Sequence, residues 1–114
     1  MMQPSHPLCW DVTTQDGNTH IYLNGELSRN TLMPLWDIYK KAEKEFFPPN
    51  PHIVWHFDKI VQLDSAGFAL LCDFLHAGEQ RGTQQIATCS PQFLTLADLF
   101  GLTSWMKGFL PATT

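Results

Sequence analysis

Ile53-Val54-Trp55-His56-Phe57 is a mostly apolar, strand-favouring run, the pattern of a central strand with both faces covered. Pro48-Pro49-Asn50-Pro51 stands directly before it and stops any helix arriving from upstream, since proline supplies no N–H and restricts the residue that precedes it. A buried strand between helical patterns predicts an α/β sheet.

Upstream, Leu32, Leu35, Trp36 and Tyr39 recur at helical spacing, with Lys40, Lys41 and Lys44 in the later turns. This predicts a helix from about Thr31, capped by Ser28 or Asn30, with Pro34 in the first turn where a missing N–H costs little. Further back, Leu8 to Thr13 and Thr19 to Leu23 carry strand formers around Gln15-Asp16-Gly17-Asn18, which predicts a hairpin. Downstream, a helix is expected from about Ser65 to Arg81, closed by Gly82. A strand over Gln85 to Cys89 and a short helix from Pro91 to Gly101 follow, and Leu102, Trp105, Met106, Phe109 and Leu110 keep helical spacing in the tail. The order predicts a mixed sheet of about four strands with helices packed against it, in one domain over residues 8–110 preceded by an extension at 1–7.

Composition narrows the function classes. Of 114 residues, 44% are hydrophobic and 16% charged, with eight Phe and four Trp, so a packed core is expected and global disorder is not. A net charge of -4 with scattered Lys and Arg argues against a polyanion, and hence against nucleic acid, as partner. The longest apolar stretch, Ala66 to Cys72, is far short of the roughly 20 residues a membrane helix needs. Met1 to Pro7 lacks the features of a secretory signal, so a cytoplasmic location without membrane insertion is expected. Cys9, Cys72 and Cys89 form an odd, dispersed set, read as reduced and packed thiols.

The residue patterns offer little chemistry. His52 and His56, four residues apart on a strand, would be separated by roughly 13 Å, too far for one ion to bridge. Cys72 and His76 fall one helical turn apart, but two ligands leave a zinc site open and no CxxC or HExxH pattern completes it. Asp58 and Asp64 could be paired carboxylates or, more simply, loop residues bonding backbone N–H groups. With no glycine-rich phosphate loop and no nucleophile elbow, neither an enzyme nor a bound cofactor or metal is expected.

Asp64-Ser65-Ala66-Gly67 carries more information, because a strand ends there and a helix begins. Ser65 should sit at or beside the N-cap, which by itself accounts for a serine. Ala66 and Gly67 also reduce side-chain bulk around the helix start, leaving its N–H groups and positive dipole end open to a partner or to a phosphate on Ser65. Projected as a helix, Gly67, Leu70, Leu71, Phe74, Leu75 and Gly78 form the core side. Ala69, Asp73, His76 and Gln80 lie opposite, with Phe68 at the border as a candidate exposed anchor.

Val61-Gln62-Leu63-Asp64-Ser65-Ala66-Gly67-Phe68-Ala69-Leu70-Leu71 resembles the signature of STAS domains, the fold shared by bacterial anti-sigma factor antagonists and the cytoplasmic tails of sulfate transporters. Leu23-Asn24-Gly25-Glu26-Leu27, followed by Leu32-Met33-Pro34-Leu35-Trp36, is similar more particularly to the small STAS subunits of Mla phospholipid ABC transporters, which maintain outer-membrane lipid asymmetry in Gram-negative bacteria. The match runs from about Trp10 to Leu102, and departs from the family at His56-Phe57-Asp58, where Asp-Leu-Ser is usual.

The resemblance implies a STAS fold and a non-catalytic cytoplasmic subunit bound to the ATPase subunit of an ABC transporter, within a complex that includes a membrane permease. It places Ser65, with Ala66, Gly67, Phe68 and Ala69, at the partner contact, and Asn24, Glu26 and Leu27 nearby. The alternative is an anti-sigma factor antagonist regulated by phosphorylation of Ser65.

Overall fold

The structure is a computed structural model and describes residues 7–41 and 52–110. Strands β1 (Cys9–Gln15) and β2 (Asn18–Leu27) form an antiparallel hairpin. Asp16 and Gly17 take φ values of 55° and 81°, the left-handed pair that a tight hairpin turn requires. The ladder continues to Gln15 opposite Asn18, directly at the turn, so both strands are longer than the apolar pattern implied.

Helix α1 (Met33–Lys41) leads towards β3 (His52–Leu63), which lies parallel to β2. Helix α2 (Ser65–Glu79) then crosses to β4 (Thr83–Thr88), parallel to β3, and α3 (Pro91–Leu99) and α4 (Thr103–Met106) follow. The sheet order is β1-β2-β3-β4, the mixed sheet that the element order predicts. Helix α1 starts two residues later than expected because Ser28 builds a turn instead. Its carbonyl accepts from Thr31 N and Leu32 N at 3.0 and 2.9 Å, and its own N–H donates to Thr31 Oγ1. The expected proline stop at Pro48 to Pro51, with Lys44, lies outside the described residues.

The core forms where the helices meet one face of the sheet. Trp55 and Phe74 stack with ring centres 5.9 Å apart, Tyr39 lies 4.9 Å from Phe74, and Phe57 and Phe93 are separated by 5.3 Å. Leu71, Leu75, Ile53 and Ile86 are fully buried among them. Among the described residues, helices therefore cover β3 on one face, not on both as its apolar run suggested. On the other face Val54 is buried but outside that core, and neighbouring rings form a ladder. His56 stacks on Tyr22 at 4.2 Å, and His20 Nδ1 lies 3.0 Å from His56 Nε2.

The two carboxylates considered for acid–base work are separated in role. Asp58 lies within β3, not in a loop, and accepts from Thr88 Oγ1 of β4 at 2.7 Å. That hydrogen bond holds its carboxyl below the ordinary range. The chain after α4 returns to β4, where Ile86 N donates to the Phe109 carbonyl at 2.7 Å.

Candidate protein-binding site

Asp64, not Ser65, caps α2. Its extended backbone presents the carboxylate to the helix start, where Oδ1 accepts from Gly67 N at 2.8 Å. The second oxygen, Oδ2, accepts from Arg29 N at 3.1 Å, and Asp64 N donates to the Leu27 carbonyl. One side chain thus satisfies a free helix donor and ties the β2–α1 loop to the start of α2. Ser65 is the first helical residue and is exposed. Ser65 thus stands beside the cap, and its hydroxyl is left at the surface.

Beyond Ser65 the exposed surface follows small residues along α2: Ala66 is half-buried and Ala69 exposed. Gly67 is buried and plays another part. A Cβ there would overlap the Leu27 carbonyl oxygen, so glycine is needed for the inward approach of α2 to the end of β2 and not for outward access. Phe68 is a second correction. It is 2% exposed and packs edge-on to Phe93 at 5.3 Å, with Phe100 stacked on it at 5.9 Å. The ring that reaches solvent there is Phe100, 50% exposed.

Asn24, Glu26 and Leu27 divide in the same way. Register shifts on both sides of Asn24-Gly25 bend the end of β2, and Gly25 takes φ 97° within the bend. Asn24 stays half-buried, whereas Leu27 is fully buried. Glu26 is buried too, accepting from Ser28 Oγ at 2.6 Å, while its carbonyl accepts from Thr31 Oγ1 at 2.7 Å. Glu26 and Leu27 therefore shape the loop beside Ser65 and offer no side chain to a partner.

The sequence reading missed the wall opposite Ala66 and Ala69. Leu32, just before α1, and Trp36 on it are half-buried and face Ala66, Ala69, Leu70 and Asp73 of α2 across a shallow groove of about 300 Å³. Lys40 Nζ lies 5.4 Å from the Trp36 ring centre, so a cation and a carboxylate, Asp73, border an aromatic floor. In the sequence Leu32 and Trp36 show only as members of the apolar repeat. The small residues at Ala66 and Ala69 were the signal that their outer edges stay open.

Little chemistry gathers here. Cys72 is half-buried, and burial, with the neighbouring Asp73 charge, pushes its thiol up to about 11, so at neutral pH it is neither a nucleophile nor a ready metal ligand. Among the described residues no group of three or more His, Cys, Asp or Glu side chains could hold a metal ion, and no helix is long and apolar enough to cross a membrane. What the surface offers is an exposed hydroxyl, helix N–H groups and an aromatic groove with a charge at each edge.

The mixed four-stranded sheet with its crossing helices has the STAS fold. A solved structure of the anti-sigma factor antagonist SpoIIAA in its unphosphorylated form superposes with a TM-score of 0.64, covering 93% of this chain and 89% of that one at 19% identity. The sequence is 36% identical over 104 residues to the intermembrane phospholipid transport system binding protein MlaB of Haemophilus influenzae, covering 90% of this chain and 99% of that protein. The chain belongs to the MlaB family of STAS-domain proteins. No family model matches it.

Proposed function

We propose that this chain is a non-catalytic cytoplasmic subunit of a phospholipid ABC transporter, bound to the ATPase subunit through the start of α2. The observation that carries this reading is the near full-length similarity to MlaB, whose name assigns it to an intermembrane phospholipid transport system. The surface around Ser65 supplies the contact: Ser65, Ala66 and Ala69 on α2 and the Leu32–Trp36 wall, with half-buried Asn24 of β2 added by the resemblance. Its small residues permit close approach, and its aromatic groove can take an anchor from the partner. The chain itself binds no ATP in this reading. It acts by stabilising and positioning the ATPase, since a partner that binds the folded state shifts that state's population.

The test is copurification of partners with the tagged chain from its own cells, identification of an ABC-transporter ATPase among them, and ATP turnover of that ATPase with and without the chain. Recovery of a stable complex is expected. An ATPase that neither copurifies nor changes its turnover would overturn the assignment.

The exposure of Ser65 favours a second reading, in which a kinase adds phosphate there and so releases the partner. Phosphate carries nearly two negative charges at neutral pH and would stand beside the Asp64 carboxylate. Mass spectrometry of the chain isolated from its own cells separates the two readings, because regulation by phosphorylation requires a phosphorylated Ser65 peptide.

A further inference from the structure

The two edges of the sheet are treated differently. At β4 the returning chain covers part of the edge, with Ile86 N bonded to the Phe109 carbonyl. At β1, among the described residues, nothing pairs beyond the hairpin partner. Strand β1 is seven residues long and exposed along nearly all its length, its register against β2 has no bulge, and it contains no lysine and no proline. Bulges, charged side chains (lysine above all), proline and covering segments are the usual devices that prevent a free edge from pairing, and among the described residues this edge has none of them but the single charge of Asp11.

We propose that the β1 edge is a self-association surface, on which a second copy of this chain lays its own β1 antiparallel, making one sheet continuous through both copies. A free edge offers a row of backbone N–H and C=O groups, and an extended strand is the partner that satisfies such a row. The side chains point to a second copy as that strand. A two-fold axis through Val12, the middle residue of Cys9–Gln15, sets Val12 against its own counterpart, 60% exposed in the single chain. The same register sets Asp11 opposite Thr13, Trp10 opposite Thr14 and Cys9 opposite Gln15.

Charge is self-complementary in this register. Asp11 is the only charged residue of the strand, and it meets a hydroxyl donor and not its own copy, which avoids the like-charge penalty across strands. Beside Val12, on the helix-covered face, Trp10, Leu35 and Ile38 line an apolar cavity of about 220 Å³, with Ile38 still 45% exposed. Docking a second Val12 at its rim extends the contact beyond the backbone ladder. The surface is smaller than the roughly 800 Å² per partner of a tight complex, so the dimer is a weak one that forms at high micromolar concentration.

Sedimentation equilibrium of the full chain from about 10 to about 500 µM tests the proposal. A reversible monomer–dimer equilibrium is expected, abolished by Val12→Lys with the fold intact by circular dichroism. A disulfide trap reports the register. Val12→Cys in a Cys9→Ser background should crosslink to a dimer under mild oxidation, since residues directly opposite in an antiparallel pair lie within disulfide reach. Asp11→Cys in the same background should crosslink far less. A chain that stays monomeric to the highest concentration overturns the proposal. So does a dimer that survives Val12→Lys and leaves Val12→Cys unlinked, because such a dimer uses another face.

Discussion

Gly67 of α2 rests against the backbone carbonyl of Leu27 at the end of β2, so closely that a Cβ on Gly67 would overlap the carbonyl oxygen. In an exposed helix Gly→Ala stabilises by up to about 1 kcal/mol. Here the obstacle is backbone, fixed by the pairing of Leu27 with Leu63, and it cannot rotate away. Gly67→Ala should therefore lose about 1–3 kcal/mol net, as overpacking does. Urea unfolding measures it, and a neutral or stabilising result would show that the contact is looser than described.

The cap assignment separates two neighbours. Asp64→Ala removes the bonds to Gly67 N and Arg29 N and should cost about 1–2 kcal/mol. Ser65→Ala, at an exposed helical position, should stay within about 0.5 kcal/mol. Equal losses at the two sites would return the cap to Ser65.

Leu71 and Phe74 lie at the centre of the core, 0% and 1% exposed. Leu71→Ala or Phe74→Ala should cost about 2–5 kcal/mol through lost burial and the cavity left behind. Losses below about 1 kcal/mol at both sites would mean that α2 is rotated relative to the sheet.

Ser65→Glu tests the proposed interface. At the first position of α2 the carboxylate meets the positive end of the helix dipole, so folding should survive. Pressed against a partner shaped for a hydroxyl, the same charge is desolvated without a counter-ion, which costs several kcal/mol. Trp36→Ala, which empties the aromatic wall, should weaken ATPase binding by about tenfold or more. Melting temperature and copurification are the paired readouts. A folded Ser65→Glu chain that binds like the parent would take Ser65 out of the interface.

The ring ladder makes stability depend on pH. Burial, then the nearby His20 charge, lowers the titration of His56 below its ordinary 6.5, with Asp58 opposing. The unfolded chain then binds a proton more readily than the folded one. Stability should be full above pH 6.5, fall as the pH drops below it, and level off once the folded His56 is protonated. His56→Gln should flatten that slope in urea titrations at a series of pH values. An unchanged slope would assign the dependence to other groups.

Much of the fold was legible because local chemistry and tertiary packing agree. Asp16-Gly17 can take the left-handed pair that the hairpin needs, and the spacing Leu70, Leu71, Phe74, Leu75 marked the buried side of α2 correctly. Legibility failed where packing between distant segments decides. Phe68 falls at the border of the helical projection, and what buries it is Phe93 and Phe100 from α3 and its end, some thirty residues away. Asp64 and Ser65 are both good cap formers, and the choice between them depends on Arg29, whose N–H holds the second carboxylate oxygen. Trp36 followed the apolar repeat, and its outer edge became part of the candidate site only because Ala66 and Ala69 on the neighbouring helix are too small to cover it.

The forked grip of Asp64 on Gly67 and Arg29 also bears on kinetics. Because one carboxylate clamps the loop leading to α1 to the first turn of α2, the two walls of the groove are braced before any partner arrives. Little loop ordering is then left for the encounter, which lowers the entropic toll of association. Loosening the clamp with Asp64→Ala should slow the capture of the partner as well as weaken the complex, whereas trimming a contact such as Trp36 should act mainly by hastening release.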